Sequence, residues 1–514
     1  MNRPDFDAVV IGGGVTGTGV LRDLAMRGVR CLLVEQGDLC HGTSGRFHGL
    51  LHSGARYAVR DPVAARECIA ENRIVRQIAP DCVEDTGGVF CLLEEDPEEY
   101  ADRLIEACED ADIEIDEQAP DRAREVDPLL SPRLARALEV PDATINPFEL
   151  AMANVRSAEN CGARLRRRTR VVGVVVERGR VAGVEVEGPE GRERIGTRAI
   201  VNAAGPWAGV VAGLAGADVA MSPGWGVMVV MNERLSRRVV NRCRMPGDGD
   251  IVVPVGTVSI AGTTSHVLPD PEHYEIRRAE VLAVMRASAE LIPTLAEARP
   301  LRVYAGARPL YDPGHDASRS RGMTRGHTLL DHAGEGVEGM VSIVGGKLTT
   351  YRLMAEETAD AVCRRLGVRT PCATAAEPLP PPRAARRWQL GERLTLNEER
   401  GAGADSDLVC ECELITRGEV GRFLSERRDN GLEDGLRGLR LGMGPCQAAF
   451  CAPRAAGLLA AEDPDTPALA QLADFLEERF RGARPVLWED QARQMHLNEI
   501  VYREVFSLDR APGV

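Results

Sequence analysis

At 514 residues and 55.6 kDa the chain is too long for one ordinary core and, at about 100–200 residues per domain, implies two to four domains, which excludes a lone small binding module. A formal charge of −15 would repel nucleic acid or an anionic membrane on average. With 44% hydrophobic and 27% charged residues the composition is globular, and no apolar run approaches the ~18–20 residues of a membrane helix.

The opening segment, MNRPDFDAVVIGGG, runs from a short polar leader straight into a strand, without the basic flank, long apolar region or cleavage site of an export signal. Strands expected over 7–11 and 31–34 enclose a glycine turn and a helix, making one βαβ unit. Gly12, Gly14 and Gly17 form G-x-G-x-x-G at the mouth of that helix, and Glu35 closes the second strand. Glycines let the backbone turn tightly and approach a pyrophosphate, the helix N-terminus supplies free N–H groups, and the carboxylate accepts from an adenosine ribose. The motif predicts dinucleotide binding, with FAD and NAD both open from it alone.

The next stretch, GDLCHGTSGRFHGLLHSGARYAV, supplies backbone and hydroxyl donors from Gly42, Thr43, Ser44 and Gly45, then crowds Arg46, His48, His52, Arg56 and Tyr57 together. Such a loop suits a phosphate. Valine-rich strand patterns then mix with helical ones, as in VVGVVVERGRVAGVEVEG and EEYADRLIEACEDADI, so a mixed α/β architecture is expected. Between Pro371 and Asp407 a proline triplet and small polar residues read as a stiff linker and a domain boundary. A compact cysteine-bearing segment and a helical tail follow.

Of the 63 basic residues only Lys347 is a lysine, and it lies inside a glycine turn, where a compact and tunable charge has a use that a guanidinium does not. Fourteen cysteines without an export signal read as reduced thiols or metal ligands. Four of them cluster: Cys410 and Cys412 as C-x-C, Cys446 and Cys451 as C-x4-C. Four thiolates could hold a [2Fe–2S] cluster, and the C-x-C spacing differs from the C-x2-C of most zinc knuckles, the alternative. Of the others only Cys40, beside the glycine- and hydroxyl-rich loop at 42–45, stands out.

Taken with VNAAGPWAG, YAGARPL, TRGHTLLDH and GGKLTTYR, the chain resembles the flavin-dependent sn-glycerol-3-phosphate dehydrogenases, and its C-terminal cysteines make it similar to the large catalytic subunit of the anaerobic type. The resemblance implies an FAD-binding Rossmann-like domain of the glutathione-reductase and D-amino-acid-oxidase type, an antiparallel-sheet substrate domain, and a small C-terminal [2Fe–2S] domain. FAD-binding parts fall at about 1–80, 145–215 and 300–370, substrate-domain parts at 81–144 and 216–299, then a linker over 371–406, the cluster domain over 407–460 and a tail over 461–514.

The resemblance favours FAD over NAD. It assigns Gly12, Gly14, Gly17 and Glu35 to the ADP half, Thr43 and Ser44 to the pyrophosphate, the turn at Gly205 to the adenine side, and Gly345 and Gly346 to the flavin. Arg56, Tyr57, Arg308, Arg325 and Lys347 become the substrate-binding residues, with Arg56, Arg308, Lys347 and His52 catalytic. For the base, His48, His52, Arg308 with a water, and more weakly His266 are candidates. The chain departs from the family at SPGWGVMVV, where Trp225 stands in place of a small or basic residue.

The implied reaction oxidises sn-glycerol 3-phosphate to dihydroxyacetone phosphate. Electrons leave through the cluster to membrane quinone by way of two partners, one of them an iron–sulfur protein that anchors the assembly in the membrane. The expected location is cytoplasmic, peripheral on the inner face of the membrane. An FAD and [2Fe–2S] amino-acid or opine dehydrogenase of the same superfamily is the alternative.

Overall fold

The computed structural model describes residues 4–313, 326–382, 390–401, 403–426, 431–505 and 507. Its first layer is a six-stranded sheet in the order His327–Asp331, Met340–Gly345, Ala199–Asn202, Ala8–Ile11 (β1), Cys31–Val34 (β2) and Arg164–Arg166. All neighbours are parallel except the His327–Asp331 edge strand. Both β1 and β2 are wholly apolar, as a parallel sheet covered on both faces requires. Ala8, Val10, Cys31 and Leu33 face a core with the helices Val15–Met26 (α1), Pro147–Asn160 and Tyr351–Leu366. Their alternate neighbours Val9, Ile11, Leu32 and Val34 face the antiparallel three-stranded sheet spanning 170–196.

A nine-stranded sheet forms the second unit, antiparallel apart from Val239–Arg242 alongside Gly88–Leu93. The expected antiparallel sheet is therefore mixed at one pair. Strand Pro300–Arg308, expected with the FAD-binding parts, instead pairs along Gly224–Met231 within this sheet. The difference is useful, because the strand carries Arg308 from the nine-stranded sheet to the edge of the six-stranded one, where the Gly345 N–H donates to the Pro309 carbonyl.

Within the expected linker, Arg22, 1% exposed, donates to the carbonyls of Thr374 and Glu377, and the Leu379 N–H donates to the Ile78 carbonyl at 2.7 Å. Leu390–Arg400 is helical, and 383–389 lie outside the described residues. The cysteine segment has its own core, which takes in Val409, Cys410, Ile415, Cys451, Leu472 and Phe475. Helix Ala468–Ala483, expected in a separate tail, is thus part of that core.

This C-terminal unit is seated on both others. Arg437 pairs with Asp38 at 2.8 Å and Arg167 with Asp434 at 3.0 Å, tying it to the loops after β2 and after strand Arg164–Arg166. Thr257 donates to Glu413 at 2.8 Å and Gln491 to the Leu301 carbonyl at 2.7 Å, tying it to the large sheet. No helix among the described residues is long and apolar enough to cross a membrane.

Candidate active site

A cleft of about 660 Å³ runs from the end of β1 to the edge of the large sheet, a size typical of cofactor sites. Gly12, Gly14, Glu35, Thr43, Ser44, Gly205, His48, His52, Tyr57, Arg308, Gly345, Gly346 and Lys347 all line it. At its β1 end the glycines are sterically required. Gly12 has φ +110°, and a Cβ there would meet the Ala203 carbonyl oxygen at 2.6 Å. Gly17 does not line the cleft, yet a Cβ on it would lie 2.0 Å from the Gly12 carbonyl oxygen, so this glycine lets α1 pack onto the turn.

The Glu35 carboxylate accepts from the N–H groups of Gly13 (2.6 Å) and Gly37 (2.8 Å). Burial raises its pKa while those N–H groups oppose the rise. Ser44 accepts from the Val15 N–H at 3.1 Å, and so meets the first turn of α1. Thr43 donates to the Ala307 carbonyl at 2.5 Å and fastens this loop to the large sheet.

At the far end, Gly345 and Gly346 both adopt left-handed backbone, φ +77° and +75°. Cβ atoms would meet the Gly326 carbonyl oxygen at 2.6 Å and the Met354 sulfur at 2.3 Å. The double turn swings Lys347 into the cleft, its N–H donating to Thr350 Oγ1 at 3.3 Å, just before helix Tyr351–Leu366. Lys347 Nζ lies 5.0 Å from the centre of the Tyr57 ring, and the His52 ring meets Tyr57 edge-on at 5.1 Å. Arg308 is aimed by acceptors on the large sheet: Thr263 Oγ1 at 2.7 Å, the Thr264 carbonyl at 3.1 Å and the Gly224 carbonyl at 3.3 Å.

Lys347, Arg308, Tyr57 and His52 are therefore brought into one cleft from three distant stretches of sequence. Arg56 is not in its wall; it donates to buried Asp250 at 3.4 Å. Arg325 lies outside the described residues. His266 is also elsewhere, bonded to Glu280 at 2.8 Å and stacked on Tyr274. Trp225 is buried in its strand, stacked on Tyr274, with its indole N–H donating to the Asp270 carbonyl at 2.9 Å. Cys40 is buried, its thiol against the Pro147 carbonyl and pushed above its ordinary pKa by burial. Thr349 lies within GGKLTTYR but received no role from it; its buried hydroxyl lines the cleft with no hydrogen-bond partner among the described residues. The cleft fits a dinucleotide: close-approach glycines at both ends, a carboxylate at one, cations at the other, and this spare hydroxyl two residues after Lys347.

The four cysteines of the C-terminal unit meet in two pairs across their motifs, Cys451 donating to Cys410 and Cys412 to Cys446. The Cys412 bond and the N–H groups of Ala448, Ala449 and Phe450 lower the Cys446 thiol to about 6 against the opposing effect of burial. Those N–H groups converge because Gln447 (φ +52°) and Ala448 (φ +78°) are both left-handed, a costly conformation outside glycine that makes an anion-binding nest. Gly444 permits the pairing, since a Cβ there would meet Cys412 Cβ at 2.3 Å. Among the described residues no group of three or more His, Cys, Asp or Glu side chains is arranged to hold a metal ion directly.

A family profile described as FAD dependent oxidoreductase matches residues 7–352. The chain is 42% identical to the A1 component of the anaerobic glycerol-3-phosphate dehydrogenase of Haloferax volcanii, over 98% of this chain and 91% of that protein. It is 41% identical to the A component of the Escherichia coli K12 enzyme, over 98% of this chain and 97% of that protein. Among solved structures, glycerol-3-phosphate dehydrogenase from Bacillus halodurans complexed with FAD superposes with a TM-score of 0.64 at 21% identity, over 94% of this chain and 96% of that one. Glycine oxidase from Geobacillus kaustophilus gives 0.57 at 21% identity, over 74% of this chain and 99% of that one.

Proposed function

Since the chain belongs to the FAD-dependent oxidoreductases and, within them, to the A components of the anaerobic glycerol-3-phosphate dehydrogenases, we propose that it oxidises sn-glycerol 3-phosphate to dihydroxyacetone phosphate. The observation that carries the reading is the convergence of Lys347, Arg308, Tyr57 and His52 at the end of the cleft marked by the Gly345–Gly346 turn. When bound, FAD supplies the two-electron acceptor for the C2 hydride.

The protein's part is binding, orientation and proton handling. Gly12, Gly14 and the N-terminal turn of α1 would receive the pyrophosphate, Glu35 the ribose, and Thr349 a polar edge of the cofactor. Lys347 and Arg308 would hold the substrate phosphate, a dianion that calls for more than one cation in a partly dry cleft. Arg56 would have to release Asp250 to join them, and Arg325 remains the fourth cation of the proposed set. We assign the hydroxyl proton to His52, an imidazole in the cleft wall held edge-on by Tyr57. Energy from the remote phosphate fixes the geometry at C2, so it appears in turnover as well as affinity.

We further propose that Cys410, Cys412, Cys446 and Cys451 hold a [2Fe–2S] cluster. Such a cluster takes two sulfurs on each of two irons, so its donors come in pairs rather than as one tight group around a single ion. The two thiol pairs and the N–H nest at Cys446 support this. The cluster would pass single electrons to partner proteins and on to membrane quinone, placing the chain at the inner face of the membrane.

An anaerobic titration of the purified protein with sn-glycerol 3-phosphate tests the whole. Flavin absorbance should bleach first and the iron–sulfur band follow. A flavin that stays oxidised with excess substrate would overturn the assignment.

A further inference from the structure

Helix Ala468–Ala483 carries Arg479 into the core of the C-terminal unit, where only 4% of the residue is exposed. Its Nη2 donates to the Gly442 carbonyl and to Gln447 Oε1 (3.0 Å), both on the loop that carries Cys446 and the N–H nest. Its Nε is buried with no hydrogen-bond partner among the described residues. Arg302, from the large sheet, lies against the same helix: a Cβ on Gly482 would meet its Nε at 3.0 Å. The Nε of Arg302 is likewise sealed and without a partner among the described residues.

The two guanidinium groups repel one another, and burial together with Arg302 holds Arg479 well below the ordinary arginine range. The carboxylate acting on both is Glu478, whose side chain is 41% exposed and bonded to Arg481 at 3.0 Å. Neither arginine makes an ion pair with a carboxylate among the described residues. A buried cation beside a half-buried one needs an anion, because desolvated charge without a counter-charge is strongly disfavoured. The other groups that favour a charged Arg479 are the sulfurs of Cys451 and Cys446, the latter on the loop that its Nη2 holds.

We propose that Arg479, backed by Arg302, is the counter-charge of the group held by the four cysteines, and that the pair raises that group's affinity for an electron. The inference rests on the [2Fe–2S] reading. A four-thiolate cluster is net negative and becomes more so on reduction, so an adjacent fixed cation favours the reduced form. The position also suits transfer from the cleft: the Arg302 guanidinium lies 6.0 Å from the Tyr304 ring centre, and Tyr304 donates to the carbonyl of Phe47, a cleft residue, at 2.8 Å. Arg479 and Arg302 are thus positioning residues for charge, remote from the reacting alcohol.

The test is the midpoint potential of the iron–sulfur band in the full-length holoprotein, followed by spectroelectrochemistry. Arg479→Gln should weaken the hold on the electron at least tenfold, about 59 mV toward more negative potential for one electron. Arg302→Gln should shift it the same way by less, and Arg479→Lys should restore most of the difference. Flavin reduction by sn-glycerol 3-phosphate should be unchanged in all three. A fully loaded Arg479→Gln protein at the wild-type potential would overturn the proposal. If Arg479→Gln assembles no cluster, loading of Arg479→Lys or a negative shift in Arg302→Gln supports it; an empty Arg479→Lys with an unshifted Arg302→Gln overturns it. Wild-type protein lacking iron and acid-labile sulfide would instead sink the cluster reading itself.

Discussion

Truncating Lys347 to alanine isolates the cation on which the substrate assignment depends. The side chain is half-buried and stands 5.0 Å over the Tyr57 ring, whereas the loop is held by backbone, through the Lys347 N–H on Thr350 and the two left-handed glycines before it. Lys347→Ala should therefore leave the turn, and bound FAD, in place. A hydrogen bond to a charged partner is worth about 1.5–3 kcal/mol, so losing one to phosphate should cost roughly 10- to 150-fold in kcat/KM. Because phosphate binding orients C2, the limiting rate of flavin reduction should fall along with substrate affinity. Anaerobic rapid mixing, with flavin absorbance followed against sn-glycerol 3-phosphate concentration, separates the two terms. Reduction within twofold of wild type in both would refute the reasoning, while an unchanged limiting rate with weaker binding would restrict Lys347 to uniform binding.

Three other outcomes follow from the same geometry. Gly17→Ala forces a Cβ to within 2.0 Å of the Gly12 carbonyl oxygen, a backbone atom that no side-chain rotation can move, and should cost about 1–3 kcal/mol and most of the bound flavin; a fully yellow, equally stable variant would contradict the packing. Cys446→Ser should leave flavin reduction intact while iron content and electron delivery to an external acceptor fall, and a retained iron–sulfur spectrum would count against that ligand. The Asp38–Asp434 contact should make seating of the C-terminal unit pH-dependent. Burial and the hydrogen bond to ionised Asp38 raise Asp434 to about 7, while the bond from Asp434 and the Arg437 and Arg167 cations outweigh burial and hold Asp38 below the usual carboxylate range. The Asp434 contribution is complete below about pH 4 and is lost as pH rises through 7; that of Asp38 is present above about pH 4 and is lost in stronger acid. Protection of this unit from protease should thus decline from pH 6 to 8.5, and Asp434→Asn should flatten the decline.

Motifs whose physics is local were legible in the chain. Gly12, Gly14, Gly17 and Glu35 act within one βαβ unit, so spacing identifies their positions, while Gly345, Gly346 and Lys347 share one turn that the family resemblance and the single lysine mark. Side chains set by long-range packing were not. The motif that marks Arg56 carries no sign of Asp250, far along the chain, which draws it out of the cleft wall, and Arg479 and Arg302 are two arginines among many. Thr349 carries no motif signal beyond its place next to the glycine turn, and Trp225, which breaks the family pattern, turns out to be a buried packing residue.

The amino-acid order by itself determined a dinucleotide turn, a lone lysine inside a second glycine turn and two short cysteine motifs, because each depends on residues within a few positions of one another. Tertiary structure decided which cations share the cleft, that strand Pro300–Arg308 belongs to the large sheet and carries Arg308 there, and that Cys410 pairs with Cys451 and Cys412 with Cys446. Those outcomes depend on contacts between segments far apart in the chain. There burial and the need to balance charge choose among many chemically equivalent arginines, a choice that no local pattern encodes.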